Sequence, residues 1–355
     1  MLDREKKILQ RIADTINPYS WITAIRNKAF DTGVMKSHEF GIATICIGNI
    51  TVGGTGKTPH TEYLARLLKG KYRTAVLSRG YGRQSKGFVK AEAGIKASMI
   101  GDEPAQMKNK FPDLDVYVCE KRVDGIRNIL SEKKGTDVIL LDDAYQHRHV
   151  KAGLNILLID SNRPLWQDCI LPFGRLRESE NGIMRADVAI ITKCGDMTEE
   201  EREQCRSHIS KIKEIPVFFT AIRYGNMYRM SDTAPFTGDL KGRGILLVTG
   251  IANPAPLRKE IESQGAEIHE RRYPDHHKFS DSDISDIVSA YKSLETGGII
   301  ITTEKDAVRI QQQRLPDDIK DIIYIVPIET VFLYDEENMF NQIIENYVTE
   351  NSRNS

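Results

Sequence analysis

The sequence predicts an α/β protein: a core built on a parallel sheet, a second and smaller α/β lobe, and amphipathic helices at the N-terminus. Three observations carry that expectation. Short β-branched runs alternate with helical patterns, the signature of βα units. Runs such as Val138-Ile-Leu-Leu141 and Ile156-Leu-Leu-Ile159 are continuously apolar, which suits strands covered on both faces. The pattern then breaks over the polar stretch Gly225–Gly244, which contains Pro235, and restarts. A chain of 355 residues is long enough for two hydrophobic cores.

Taken in order, residues 1–36 come first. Ile8, Ile12 and Ile16 recur every fourth position, and Trp21, Ile22, Ile25 and Ala29 form a second apolar stripe after Pro18. Seven basic residues stand against four acidic ones in this segment. A basic amphipathic helical pair can lie on an anionic membrane surface, or its stripes can pack on the body of the protein. Residues 37–224 form the expected core, with strands at Ile42–Ile47, Thr74–Leu77, Val116–Cys119, Val138–Leu141, Ile156–Ile159, Val188–Thr192 and Val217–Ala221. Residues 225–244 read as a linker or hairpin. The smaller lobe, 245–355, holds strands at Ile245–Val248, Ile299–Thr302 and Ile322–Val326, and a helix from about Pro256 to Gln264.

Composition excludes several classes. Fifty basic and fifty acidic side chains give no net charge, which argues against nucleic acid as a partner. The five cysteines form no C-x-x-C pair, so neither a disulfide framework nor a zinc site is indicated. No run reaches the roughly 18–20 apolar residues that span a bilayer. The sequence shows no obligatory protein partner. These features describe a cytosolic enzyme or binding protein.

The strongest chemical signal is Thr51-Val52-Gly53-Gly54-Thr55-Gly56-Lys57-Thr58, directly after the first core strand. Glycines let closely spaced backbone N–H groups approach phosphate oxygens, and the following helix turns its positive end toward the anion. Lys57 suits the β- and γ-phosphates, and the Thr58 hydroxyl suits Mg²⁺. Thr51 stands where the usual motif has its first glycine. The strand–loop–helix context makes this a P-loop NTPase-like core all the same. Asp142 and Asp143 close the apolar run 138–141, where a carboxylate can hold Mg²⁺ directly or through water.

Other residues leave more than one role open. Asp102 and Glu103, in Gly101-Asp-Glu-Pro104, can cap a helix, bind metal or take a proton. Asp275-His276-His277 follows Pro274 in the second lobe, where a His beside a carboxylate suits a general base or its partner. Arg79, Arg83, Arg175, Arg177 and Arg185 lie in or near glycine-containing loops suited to phosphate contacts. Thr192-Lys-Cys-Gly-Asp196 lacks the Asn and the spacing of a guanine-reading loop, so GTP is not indicated.

Together these stretches resemble the tetraacyldisaccharide 4'-kinase (lipid A 4'-kinase) family of Gram-negative bacteria. The matching segments are GNITVGGTGKTP (48–59), SRGYGR (78–83), GDEP (101–104), LDDAYQH (141–147), LPFGRLRE (171–178), PDHHKF (274–279) and TTEKDAVR (302–309), in the family's order. The family's loop also lacks the glycine replaced by Thr51. Ala144 and Tyr145 depart from its more usual LDDGFQH.

The resemblance implies ATP and Mg²⁺ as cofactors and phosphorylation of the 4'-hydroxyl of an acylated glucosamine disaccharide 1-phosphate. It implies a peripheral protein on the cytoplasmic face of the inner membrane, meeting an anionic membrane surface through its N-terminal helices. It makes Asp102 the catalytic acid/base, paired with His276 in preference to His277, with Lys57 on the phosphates. Thr58, Asp142, Asp143 and Glu103 become the metal candidates, and arginines of SRGYGR and LPFGRLRE hold phosphate. The alternative is a P-loop NTPase acting as a metal chaperone or regulatory switch, a class that usually carries Lys where this chain has Val52.

Overall fold

Fourteen strands organise residues 17–294 and 297–352, the part of the chain that the computed structural model describes. In chain order they are β1 (Ala43–Gly48), β2 (Thr74–Ser78), β3 (Val89–Lys90), β4 (Asp115–Val118), β5 (Val138–Asp142), β6 (Leu154–Asp160), β7 (Val188–Thr192), β8 (Val217–Tyr224), β9 (Tyr228–Arg229), β10 (Gly244–Thr249), β11 (Glu267–Arg272), β12 (Ile299–Thr303), β13 (Ile323–Val326) and β14 (Ile328–Phe332). Nine form the large sheet in the order β14-β8-β7-β6-β1-β5-β2-β4-β3. Its seven inner strands are parallel, and only the edges β3 and β14 run antiparallel to their neighbours. The parallel core expected from the apolar runs is therefore present.

β1, β2, β5 and β7 are buried at every position. Successive side chains of a strand point to opposite faces, so the sheet has a core on each side. On one face Ile45 and Ile47 of β1 meet Leu64, Ala65 and Leu68 of the helix Lys57–Leu68 and Phe340, Ile344 and Val348 of the helix Glu337–Ser352. On the other, Cys46 packs with Ile126 and Ile129 of the helix Arg122–Glu132.

The second sheet has the order β11-β10-β12-β13-β9, parallel except for β9. Three boundaries differ from the sequence reading. Within the supposed linker 225–244, β9 pairs with β13 and so belongs to the smaller sheet. β11 (EIHERR) is an edge strand whose charged side chains stay in water, so it shows no apolar run. The C-terminal stretch, assigned wholly to the second lobe, crosses back: β14 pairs with β8, and the last helix lies on the large sheet, where the Tyr347 hydroxyl donates to the Thr44 carbonyl at 3.1 Å.

The helix Pro18–Asp31 starts at Asn17, whose side chain accepts from the Tyr19 N–H at 3.0 Å. It touches the core through its polar side: Asn17 donates to the Leu171 carbonyl, Asn27 to Glu178 and Arg26 to the Gln146 carbonyl. Only Phe30 of this helix is a buried apolar residue. The stripe of Trp21, Ile22 and Ile25 faces solvent, with 53%, 65% and 69% of each residue exposed. Ile8, Ile12 and Ile16 lie outside the described residues. No described helix is long and apolar enough to cross a membrane.

Candidate functional site

The loop Thr51–Thr58 leaves β1 and enters its helix at Gly56, which has φ +85° and offers no side-chain cap. An L side chain is strained at that angle, and at Gly53, φ +107°, for the same reason. The helix N-terminus therefore presents N–H groups that no protein side chain caps, the arrangement that binds phosphate. Gly53 and Gly54 are exposed, with no heavy atom within 4 Å of where a Cβ would stand.

Behind the loop lies a scaffold that sequence patterns do not reveal. Buried Asn49 donates to Thr55 Oγ1 at 2.7 Å and Thr51 Oγ1 at 3.3 Å, and Thr192 Oγ1 donates to the Thr55 carbonyl. Val52 N–H donates to the Arg175 carbonyl at 2.8 Å, so the LPFGRLRE segment forms one wall of the loop. His60, fully buried against Gly56 O and Thr220 Oγ1, is pushed by that burial down to about 4 and stays neutral.

The two acids after β5 differ in setting. Asp142 is buried and accepts from the Thr61 and Ser78 hydroxyls, both at 3.1 Å. Burial above all, then the charges of Glu103 and Asp143, push its carboxyl up to about 6. Asp143 takes φ +45°, a conformation that Asp tolerates better than most residues. Its Oδ1 is sealed from solvent without a hydrogen bond, flanked by Lys57 Nζ at 3.7 Å and Arg177 at 3.8 Å. The Thr58 hydroxyl donates to no described residue. Among the described residues no three His, Cys, Asp or Glu side chains converge as a ready-made metal cluster. That suits Mg²⁺, which keeps several waters and needs only one or two carboxylates when phosphates supply the rest. The Asp143 oxygen, which has no hydrogen bond, and the uncapped helix end fit a magnesium nucleotide.

Asp102 and Glu103 open the helix Asp102–Lys110, and the Glu103 charge acts directly on Asp142. This places the GDEP turn beside the acids of β5. From the second lobe, Arg309 Nε stands 2.7 Å from Asp102 Oδ2, and His276 Nδ1 lies 3.7 Å from the same oxygen. His276 holds φ +60°, with its N–H on Asp275 Oδ1 at 3.0 Å. His277 turns into its own lobe, stacked on Tyr273 and 3.0 Å from Asp283 Oδ2. The structure therefore brings His276, and not His277, to Asp102.

The arginines divide. Arg177 borders Asp143, and Arg79 and Arg175 are exposed. Arg83 is spent bracing its own loop to Glu120 at 2.6 Å, and Arg185 pairs with Glu178 at 2.7 Å over the Tyr145 ring. Lys305, Asp306 and Arg309 were given no role by the sequence reading. Asp306, fully buried, holds Arg309 Nη1 at 3.1 Å, and Lys305 Nζ lies 3.2 Å from His276 Nε2. Their i, i+3 and i+4 spacing on a helix following β12 was the signal available.

The chain matches the family model described as Tetraacyldisaccharide-1-P 4'-kinase over residues 16–349. It is 45% identical to the Tetraacyldisaccharide 4'-kinase of Phocaeicola vulgatus over 98% of each chain, and 44% identical to that of Bacteroides thetaiotaomicron over 97% of this chain and 96% of the relative. The crystal structure of the apo form of LpxK from Aquifex aeolicus in complex with ATP superposes with a TM-score of 0.73 at 28% identity, covering 98% of this chain and 100% of that one. The same motifs that line the site lie within these matches, and the chain belongs to the tetraacyldisaccharide 4'-kinase family.

Proposed function

We propose that this chain carries out its family's reaction: transfer of the γ-phosphoryl group of ATP to the 4'-hydroxyl of a tetraacylated glucosamine disaccharide 1-phosphate, a step of lipid A biosynthesis. The observation that carries the assignment of roles is the Asp102 carboxylate, held from the second lobe by Arg309 at 2.7 Å and faced by His276 at 3.7 Å.

Phosphoryl transfer asks the protein mainly to position groups and neutralise charge. The amides of Thr51–Thr58 and Lys57 hold the β- and γ-phosphates. Thr58, Asp142 and Asp143 would hold Mg²⁺, with Glu103 a further candidate. When bound, Mg²⁺ neutralises charge developing on the phosphate oxygens. Asp102 orients the sugar hydroxyl and accepts its proton. Arg309 holds that carboxylate in place, and His276 orders the acceptor side of the cleft. Arg177 faces the transferring group, and Arg79 and Arg175 are free to meet the lipid's phosphate.

The protein works as a peripheral enzyme on the cytoplasmic face of the inner membrane. Support comes from the exposed stripe Trp21, Ile22 and Ile25, together with the basic excess of residues 1–36. One assay tests the whole reading: full-length protein, Mg-ATP and a detergent-dispersed acylated disaccharide 1-phosphate. Bisphosphorylated lipid is expected. ATP hydrolysis without that product would favour the metal-chaperone or regulatory NTPase instead.

A further inference from the structure

The helix that begins with Asp102 ends with Lys110, and that far end is also tied. Lys110 Nζ lies 2.7 Å from Glu62 Oε2 and 2.8 Å from Glu304 Oε1, and donates to the Ile328 carbonyl at 3.2 Å. Glu304 Oε2 also accepts the Ile328 N–H at 3.2 Å, and Gln106 donates to Glu62 Oε1 at 2.9 Å. Side-chain exposure is 14% for Lys110, 2% for Glu62 and 5% for Glu304. Each charge comes from a different helix. Glu62 lies on the phosphate-loop helix, Lys110 on the Asp102 helix, and Glu304 opens the second-lobe helix Glu304–Ile310 that ends near Arg309. The two last-named helices are thus antiparallel and pinned at both ends, Lys110 to Glu304 at one and Asp102 to Arg309 at the other.

Buried ion clusters are weak stabilisers compared with apolar packing of the same volume, but they demand one registration of the groups that make them. We propose that Lys110 is a positioning residue for phosphoryl transfer: by fastening its helix to Glu62 and Glu304, it sets where Asp102 stands relative to the phosphate loop. This rests on the reading of Asp102 as the base. A nine-residue helix is a rigid rod about 13 Å long, so a slide at its Lys110 end reaches Asp102 undiminished. Misplacement of a reacting group by about 1 Å costs on the order of 100-fold in rate.

The test is a variant series in the Mg-ATP and acylated disaccharide assay, with a thermal melt of each protein. Lys110→Met and Glu304→Gln should each lower kcat about tenfold or more, with KM for ATP within about twofold of wild type, because neither residue belongs to the loop Thr51–Thr58 that holds the nucleotide. Lys110→Arg should recover most of the rate. In an Asp102→Asn background, Lys110→Met should cost less than about twofold more, because its effect runs through that carboxylate. A folded Lys110→Met at wild-type kcat overturns the proposal, as does an equal loss in both backgrounds, which would mark general loosening. Should Lys110→Met not fold, Glu304→Gln keeps the shape and carries the same comparison. Asp102→Asn with wild-type kcat would instead overturn the base reading, and is scored separately.

Discussion

Arg309 lies with Nε 2.7 Å from Asp102 Oδ2 and Nη2 3.2 Å from His276 Nδ1, so one guanidinium from the second lobe contacts both members of the expected acid–base pair. Lys305 faces the other ring nitrogen at 3.2 Å. A ring with a cationic donor at each nitrogen gains nothing from a second proton. Burial and then the Lys305 charge accordingly lower the His276 pKa, so the imidazole is neutral at neutral pH.

Arg309→Met should reduce kcat by about 10- to 100-fold, because Asp102 loses the partner that holds it in place. Arg309→Lys should fail to restore it: an ammonium cannot span Asp102, Asp306 and the Gly250 carbonyl as the fork does. Steady-state kinetics of the two variants decide this, and full activity of the Lys variant would remove the geometric role.

The adjacent histidines should separate cleanly. His276→Ala is expected to lower kcat by about tenfold or more with little change in melting temperature, since the ring is at the cleft. His277→Ala should do the reverse, lowering the melting temperature by a few degrees through loss of its Asp283 and Tyr273 contacts while kcat stays within about threefold. Matched kinetics and melts read both.

Asp142 makes a pH prediction. Its carboxyl titrates at about 6 in the folded chain against an ordinary 3.8. The folded state then holds that proton more tightly than the unfolded one, so metal-free protein should lose stability as pH rises from about 4 to about 6. Asp142→Asn should flatten that slope. Stabilisation by Mg²⁺ with nucleotide needs the ionised oxygen and should fade as pH falls through about 6. Thermal melts across this range, with and without Mg-nucleotide, check both signs.

Lys57→Ala should abolish lipid phosphorylation, at least about 1,000-fold, with an unchanged melting temperature. The Lys57 side chain meets Asp143 only at 3.7 Å, a contact too long to contribute much to the fold. Appreciable turnover by this variant would mean that the loop does not hold the transferring phosphate.

Replacing Ile22 and Ile25 together by Ser should lower partition to anionic liposomes by about tenfold or more and leave the melting temperature in place, since both side chains are mostly exposed. Flotation at low and high salt separates this apolar contribution from the basic one. Unchanged partition would remove the stripe from the membrane contact.

The parallel core, the phosphate loop with Lys57 and Thr58, and the acids closing β5 were legible in the sequence because each depends on local pattern. Two-sided burial makes a strand continuously apolar, and phosphate needs glycines next to a strand end. What escaped was set by distant partners. β11 and β14 are edge strands, recognisable only by the neighbours they pair with. The return of residues 328–352 to the large sheet follows from where β8 leaves an edge open. Arg309 and Glu304, the partners of Asp102 and Lys110, stand 207 and 194 residues away in the chain. Sequence by itself determined which chemistry this chain carries. Tertiary structure alone decided which side chains meet, because long-range contacts between two lobes leave no period or spacing in either segment.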